Sequence, residues 1–345
     1  MVLHSQIGAS CLAANSSKRK PSPMEMRPTY HPNEGNGYVT EASHPWNLSR
    51  SCPQGSIPIQ RSLRNGSIKN ISSTSHWQRG PQYFSGQRVK QKLLGADTSV
   101  HEHSSIQAHE STYYGAKATI NVWNPKLETQ DESSLAQIWV VSQDRMTTLE
   151  AGWMVQPRLY GTDETRFFTY WTSDGYKNGC YNIECPGFVQ TNHQTTISSL
   201  LRPVSVYGGQ QYAIDVEIFK DKATGNWWLL LQGVQLGYWP KELVPSLANG
   251  AGMIYWGGEI AYNQAGAHTS TQMGSGHYSY EGFQKASFFR NVQGMDTSYA
   301  YNTPRNFDVK AENGRCYDLQ VGGNKDGSWG LFFFYGGPGR SDKCS

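Results

Sequence analysis

Apolar residues recur in short runs from about residue 113 onward, with clusters of Gly, Asn, Asp and Pro between them. Some runs alternate apolar with polar positions, as half-buried strands do, and others are continuously apolar, as buried strands are. The predicted strands and strand-like runs cover 118–123, 135–141, 148–155, 212–219, 227–231, 253–260 and 331–335. Beyond one turn at 241–247, the sequence shows no sustained 3.6-residue periodicity. This pattern predicts an all-β domain, built as an antiparallel sandwich or barrel.

The first hundred residues have a different composition. They are rich in Ser, Pro, Asn, Gly and basic residues, and only 52–59 looks ordered. Residues 1–98 carry 12 Lys+Arg against 4 Asp+Glu, or +8, whereas the remainder carries 18 against 23, or −5. We therefore predict a largely irregular N-terminal region over 1–100 and one β domain over 101–345. The basic charges are scattered and belong to no recognition module, which argues against nucleic-acid binding.

The cysteines indicate disulfides rather than a metal site. The only close pair has C-x4-C spacing, and no second pair completes a set of metal ligands. We predict that Cys180 and Cys185 close a small loop and that Cys316 and Cys344 tie down the C-terminus, as in an oxidising compartment.

The sequence contains one feature that favours secretion and lacks another that secretion requires. Four glycosylation sequons lie in the N-terminal region, at Asn15, Asn47, Asn65 and Asn70. Residues 1–20 contain no apolar run long enough for a secretory signal peptide, so we expect the start of the sequence to be incomplete. No segment of the sequence reaches the length of a transmembrane span. The pairing of the two remaining cysteines, Cys11 and Cys52, stays open.

Two glutamates stand in apolar, strand-like runs beside Gly and Trp. Glu150 lies in 148–155 (TLEAGWMV), and Glu259 lies in 253–260 (MIYWGGEI). Carboxylates are seldom buried unless they are paired or used chemically, although a strand residue that faces solvent explains each glutamate equally well. If the two meet, one keeps a proton while the other is ionised, and the pair can activate water and protonate a leaving group. Glycosidases and acid peptidases both work in this way, and spacing does not choose between them.

The ten histidines form no ligand cluster along the sequence, so we predict neither a metal nor a cofactor. His101 and His103 fall at the junction between the N-terminal region and the β domain. We expect both of them to be solvated there.

Several longer motifs of the chain strongly resemble the plant neprosin family. They are 149–153 (LEAGW), 166–176 (RFFTYWTSDGY), 187–192 (GFVQTN), 225–228 (GNWW), 237–240 (GYWP), 257–259 (GGE), 268–277 (HTSTQMGSGH) and 335–340 (YGGPGR). The resemblance covers essentially 113–344. Residues 52–59 (CPQGSIPI) also look like the end of the family's activation propeptide.

The resemblance implies a secreted glutamic peptidase, extracellular or vacuolar, made as a zymogen and cleaving on the C-terminal side of proline at acidic pH. It implies a two-sheet antiparallel β-sandwich that acts on proline-containing peptides or proteins and is inhibited by its own propeptide. The family's catalytic glutamates map onto Glu150 and Glu259. By analogy with other glutamic peptidases of sandwich fold, we expect Glu259 to be the base and Glu150 its protonated partner.

Substrate contacts are expected from side chains within the same motifs, at Trp153, Tyr170, Trp171, Gln190 and Trp239. We expect acid to release a mature form that begins near residues 95–112.

Two other function classes remain open from the sequence. One is a β-sandwich glycosidase that uses the same carboxylates, and the other is a non-catalytic cell-wall or carbohydrate-binding protein in which the glutamates are structural.

Overall fold

A computed structural model of the chain describes residues 9–13, 27–29, 52–53, 56–60, 99–109, 111–263, 266–322, 327 and 329–345. Most of the N-terminal region, including the four glycosylation sequons, lies outside the described residues.

The described residues form eighteen β-strands and very little helix. In chain order the strands are β1 (Ala9–Ala13), β2 (Ser56–Gln60), β3 (Ser99–Ala108), β4 (Gly115–Asn121), β5 (Ser133–Val141), β6 (Thr148–Val155), β7 (Arg166–Thr172), β8 (Gly179–Tyr181), β9 (Val189–Gln190), β10 (Ala213–Lys220), β11 (Trp227–Leu231), β12 (Val234–Trp239), β13 (Met253–Asn263), β14 (Ser287–Met295), β15 (Tyr301–Asn302), β16 (Asp308–Ala311), β17 (Asp318–Gly322) and β18 (Phe332–Gly336). The helical elements are α1 (Pro157–Tyr160) and two 3-10 turns, Pro245–Leu247 and Ser279–Glu281.

Two large antiparallel sheets contain nearly all of these strands. The seven-stranded sheet has the order β16-β3-β13-β5-β6-β7-β8. The nine-stranded sheet has the order β17-β18-β14-β4-β10-β11-β12-β9, with β15 added beside β14. In the seven-stranded sheet, β5 therefore lies between β13 and β6, the two strands that carry the candidate glutamates.

Side chains from both sheets form one hydrophobic core between them. Trp153 and Phe167 come from the seven-stranded sheet, and Trp227, Trp239 and Phe289 come from the other. Because successive side chains of a strand point to opposite faces, each sheet contributes every second residue to this core. The predicted two-sheet antiparallel β-sandwich is confirmed, and the predicted strands at 135–141 and 227–231 match β5 and β11 closely.

The described parts of the N-terminal region contact the β domain at two places. The first is the loop after β9, where Cys52 N donates to His193 O at 2.9 Å and His193 Nδ1 lies 2.5 Å from Ser56 O. The second is the loop after β10, where the backbone N–H and the hydroxyl of Thr29 donate to the buried carboxylate of Asp221 at 2.6–2.9 Å. The predicted boundary at residue 100 falls just inside β3.

Two predicted disulfides are confirmed. Cys180 joins Cys185, and Cys316 joins Cys344 across a separation of 28 residues. Cys52 is disulfide-bonded as well, and the side chain of Cys11 lies outside the described residues.

None of the helices in the described residues is long and apolar enough to cross a membrane.

Candidate active site

Glu150 and Glu259 lie on the same face of the seven-stranded sheet, on the two neighbours of β5. Glu150 of β6 is opposite Trp139, and Glu259 of β13 is opposite Leu135. Trp139 and Leu135 are an even number of residues apart on β5, so their side chains share a face. Both belong to a cluster separate from the core between the sheets. Each glutamate is only 5% exposed, which contradicts the alternative that they are strand residues facing solvent.

Glycines beside the glutamates allow the strands to approach one another closely. A Cβ on Gly152 would collide with the backbone of β5, and a Cβ on Gly257 would collide with the backbone of β3. Gly258 faces the inter-sheet core, where a Cβ would collide with the ring of Tyr335. The glycines next to the glutamates in the two motifs are therefore required by packing.

Three side chains donate hydrogen bonds to the carboxyl group of Glu150. Thr148 Oγ1 and Tyr176 OH bind Oε1 at 2.7 and 2.6 Å, and Gln137 Nε2 binds Oε2 at 2.9 Å. Burial raises the pKa of Glu150 to about 7, opposed by the hydrogen bond from Tyr176 and aided by the negative charge of Glu259. Glu150 therefore keeps its proton at acidic pH.

Two histidines of β3 bind the carboxylate of Glu259. His101 Nδ1 lies 2.5 Å from Oε1, and His103 Nε2 lies 3.4 Å from Oε2. The histidines are 4% and 1% exposed, so the prediction that they are solvated is wrong. The reason is that β3 pairs with β13, which places His103 directly opposite Glu259 in the ladder.

These contacts set opposite protonation states for the two glutamates. Burial alone would raise the pKa of Glu259, but the charge of His103 and the hydrogen bond from His101 hold it well below its ordinary range. Burial alone would lower the pKa of His103, but Glu259 and Glu312 raise it well above its ordinary range. At mildly acidic pH, Glu259 is therefore ionised while Glu150 is protonated, as in an acid–base pair.

Aromatic rings enclose the end of this face around Glu150. Tyr170 and Tyr176 stack with centroids 6.0 Å apart and planes 5° apart, and Tyr181 packs on Tyr170 at 4.7 Å. The ring of Trp139 lies 6.1 Å from that of His103. The carboxyl pair thus sits in a water-poor, aromatic environment, which explains the raised pKa of Glu150.

Several buried polar atoms on this face have no protein partner. Among the described residues, Gln137 Oε1, Trp139 Nε1 and Tyr170 OH are buried without a hydrogen bond. Buried polar groups in folded proteins are nearly always satisfied by protein, water or ligand. Of these atoms, Gln137 Oε1 accepts, Trp139 Nε1 donates, and the Tyr170 hydroxyl does either, so the N–H and C=O groups of a peptide backbone suit them.

Two of the predicted substrate-binding residues lie on β7, on opposite faces of the strand. Tyr170 is opposite Glu150 in the ladder and shares its face. Trp171 points the other way, is partly exposed, and has its ring against Gly187, where a Cβ would collide with it. Tyr170 therefore stays the better placed of the two for contact with a substrate at the glutamates.

The structure does not support the other three as substrate contacts. Trp153 and Trp239 are fully buried in the core between the sheets, and Trp153 Nε1 donates to Asn121 O at 2.9 Å. Gln190 is buried, and its Nε2 donates to backbone carbonyl groups of Asn192 and Thr195 at 3.1 and 3.0 Å. Strand alternation turns Trp153 away from the glutamate face, and Gln190 and Trp239 belong to the nine-stranded sheet.

Several residues of the site were not predicted from the sequence. They are Gln137, Thr148, Tyr176, Tyr181 and Glu312, in addition to the two histidines. The alternation of a strand could have pointed to Thr148, which lies two residues before Glu150. It could also have placed both histidines on one face, since they are two residues apart. Tyr176 and Glu312 lie in loops, and nothing in their local sequence indicates where they reach.

One group of potential metal ligands occurs among the described residues, formed by His268, Cys316 and Cys344. The two cysteines are already joined in a disulfide, so neither offers a thiolate to a metal ion.

Comparison with protein families matches residues 130–338 to the family described as Neprosin. Among solved structures, the chain is similar to scytalido-glutamic peptidase bound to a peptide-based transition-state analogue, at 11% identity and a TM-score of 0.39, covering 70% of this chain and 100% of that one. It is also similar to SCP-B, a member of the eqolisin family of peptidases in complex with the tripeptide Ala-Ile-His, at 9% identity and a TM-score of 0.36, covering 69% and 98%.

Proposed function

The chain belongs to the Neprosin family, and we propose that it is a glutamic peptidase that acts through Glu150 and Glu259. The observation that carries the proposal is the contrast between two buried carboxyl groups on one sheet face. Histidines keep Glu259 ionised, whereas burial keeps Glu150 protonated. Hydrolysis of an amide needs a base for the attacking water and an acid for the carbonyl oxygen, and this pair supplies both at one pH.

In the proposed reaction, Glu259 takes a proton from water as the water oxygen bonds to the scissile carbonyl carbon. Glu150 donates its proton to the carbonyl oxygen and so stabilises the tetrahedral intermediate. When the intermediate collapses, the C–N bond breaks and the proton held by Glu259 moves to the departing amine. The hydroxyl of the intermediate returns its proton to Glu150 as the carboxyl product forms, which restores both glutamates.

Cleavage after proline is part of the proposal. It comes from the family resemblance of the motifs, and the aromatic surroundings of Glu150 are compatible with it. The rings of Tyr170, Tyr176 and Tyr181 lie together on this side of the pair. A pyrrolidine ring is compact and apolar, so it can pack on such rings without losing a hydrogen bond.

The proposal is tested with two peptides that differ only by Pro→Ala at one position, incubated with the protein at about pH 4. Mass spectrometry should show cleavage after proline in the first peptide and none at that position in the second. The Glu259→Gln variant is the control for a contaminating peptidase. Cleavage of both peptides at the same bond would leave a glutamic peptidase without proline specificity. A folded wild-type protein that cleaves neither peptide nor an unfolded protein substrate would overturn the proposal.

A carbohydrate-binding role has one observation in its favour, on the outer face of the nine-stranded sheet. A cavity of about 380 Å³ is lined there by Phe283, Phe288, Trp329, Asp215 and Arg290 among others. Aromatic faces beside hydrogen-bonding groups suit a sugar ring. Titration of the protein with soluble cell-wall oligosaccharides, with Trp329→Ala as the matched variant, tests this role separately from peptidase activity.

We further propose that the protein is secreted, to an extracellular or vacuolar compartment, and that its N-terminal region acts as an inhibitory propeptide. The disulfides support an oxidising compartment. The contacts of Cys52 and Ser56 with His193, and of Thr29 with Asp221, support docking of this region on the β domain.

A further inference from the structure

β3 presents two histidines to Glu259 in different hydrogen-bonding settings. The Nδ1 atom of His101 lies 2.5 Å from Glu259 Oε1, and its Nε2 atom lies 3.2 Å from Ser99 Oγ. A neutral ring satisfies both contacts, because Nδ1–H donates to the carboxylate while Nε2 accepts from the serine hydroxyl. His101 therefore binds Glu259 without needing a positive charge.

His103 lies between two carboxylates. Its Nδ1 atom is 3.0 Å from Glu312 Oε2, and its Nε2 atom is 3.4 Å from Glu259 Oε2. The longer contact is an ion pair rather than an aligned hydrogen bond, and Nε2 has no other partner among the described residues. A carboxylate oxygen only accepts, so a lone pair on either ring nitrogen would face negative charge. Only the imidazolium, with a proton on both nitrogens, suits this position.

Glu312 contacts the backbone of His103 as well as its imidazole ring. The backbone N–H of His103 donates to Glu312 Oε2 at 2.9 Å, and the backbone N–H of Glu312 donates to His103 O at 3.1 Å. Glu312 directly follows β16, the strand that pairs with the outer side of β3. Glu312 thus holds the Nδ1 side of the His103 ring, while the Nε2 atom on the other side faces Glu259.

The groups that face Glu259 come from three strands. β3 contributes His101 and His103, β6 contributes Glu150, and β8 contributes the hydroxyl of Tyr181. Within this described set, His103 is the group whose contacts require a positive charge. Removing that charge would leave Glu259 buried within electrostatic range of a second carboxyl group, Glu150, and the two would then compete for one proton.

We propose that His101 and His103 are positioning residues of the peptidase reaction, in which His101 orients the carboxylate of Glu259 and His103, locked by Glu312, keeps it ionised. This inference rests on the proposed function. It also assigns the roles within the pair, because the carboxylate beside the cation is the base and Glu150 is left as the acid. The arrangement lets the base act at a pH where two neighbouring carboxyl groups alone would both take up protons.

The first test compares pH profiles of kcat/KM for wild type, His103→Gln and Glu312→Gln. In His103→Gln, the acidic limb should move up by about one pH unit or more, because an opposite charge lowers a carboxyl pKa by roughly 1–3 units. Glu312→Gln should move it in the same direction by less. His101→Gln should lower kcat with little change in KM, by roughly 10²-fold if the carboxylate is misplaced by about 1 Å.

His268→Gln is the matched control. His268 is also a buried histidine that contacts a glutamate, Glu102 at 3.1 Å, but it does not face Glu259. Its variant should keep the wild-type acidic limb even where stability falls. A folded His103→Gln protein with the wild-type acidic limb would overturn the inference.

The second test needs no activity. Nitrogen NMR of the histidine rings should show both nitrogens of His103 protonated from pH 4 to about pH 8. A neutral His103 ring at about pH 5 would overturn the inference, whether or not His103→Gln folds. If wild type cleaves no peptide while the NMR result holds, the proposed function has failed and the charge arrangement has not.

Discussion

Gln137 Nε2 donates a hydrogen bond of 2.9 Å to Glu150 Oε2, from the strand that separates the two glutamates. In the ladder, Gln137 stands opposite Gly152 on one side and Gly257 on the other. Flanked by two residues without side chains, the amide is the group that projects from the middle of the sheet between the carboxyl groups. The strand between the two glutamates therefore supplies a hydrogen bond to Glu150, while Glu259 is bound by the histidines of β3 on its other side.

Replacing either glutamate by glutamine should reduce kcat by about 10²–10⁴-fold with the fold intact, because each change removes a positioned acid or base. The losses in Glu150→Gln and Glu259→Gln should not add in the double variant, since either change disables the same unit. Glu132→Gln is the control, because Glu132 is buried and bonded to Thr269, away from the pair. Near-normal turnover of a proline peptide by Glu150→Gln would contradict the pair mechanism.

Peptidase activity should be confined to acidic pH, and the two glutamates should set the acidic and basic limbs of its pH profile. Glu150 must be protonated, so activity should fall as the pH rises through about 7, the pKa to which burial raises this group. Glu259 must be ionised, and since its pKa is lowered, activity should persist below the ordinary glutamate range near 4.5. Measurement of kcat/KM across this range checks both limbs. Maximal activity in alkaline solution would contradict the assignment.

The same raised pKa predicts how stability depends on pH. The pKa of Glu150 rises from 4.5 to about 7 on folding, so its contribution is fully present below 4.5 and is lost as the pH rises through 7. Relative to Glu150→Gln, the wild type should lose free energy of unfolding on the order of 3 kcal/mol between about pH 5 and pH 8. Urea unfolding at the two pH values measures this difference. Equal changes in both proteins would show that Glu150 does not titrate as described.

Gly257→Ala should destabilise the protein and reduce activity, because the new methyl group would collide with the backbone of β3 behind the histidines. Forcing extra volume into a packed site typically costs about 1–3 kcal/mol. Gly314→Ala is the matched control, since a Cβ there meets nothing within 4 Å. Thermal unfolding of the two variants, together with kcat/KM, makes the comparison. Equal stability of the two would mean that the strands can separate at little cost.

Processing should remove the N-terminal region ahead of Ser99 rather than anywhere in 95–112. β3 starts at Ser99 and carries both histidines, so a cut within or after it would separate them from the β domain. Burial would raise the pKa of Asp221, but hydrogen bonds from Thr224 and Thr29 lower it. The docking contact should therefore hold above the ordinary aspartate pKa, about 3.9, and weaken as the pH falls below it.

Intact mass spectrometry along an acid titration should show the shortened form, and Asp221→Asn should release the region at higher pH. The exposed Asp215, which contacts Thr119, provides the matched Asp215→Asn control. A fully active product that begins after Ala108 would contradict the role given to β3.

Local sequence patterns alone determined several strands, the candidate carboxyl pair and two disulfides. Alternating and continuous apolar runs located β5, β6, β10, β11 and β13, since burial of one face of a strand imposes alternation and burial of both faces gives a continuous apolar run. The carboxyl pair was also visible, because glutamates within apolar runs are rare. The disulfides followed from cysteine count and spacing.

Tertiary structure decided which residues surround the pair. His101 and His103 are far from Glu259 in sequence, and only the pairing of β3 with β13 makes the histidines its partners. Strand pairing over such distances depends on burial and register across the whole sheet, which no local pattern contains. Trp153 is a different case, because it lies three residues from Glu150 on the same strand and strand alternation therefore turns it into the core on the opposite face.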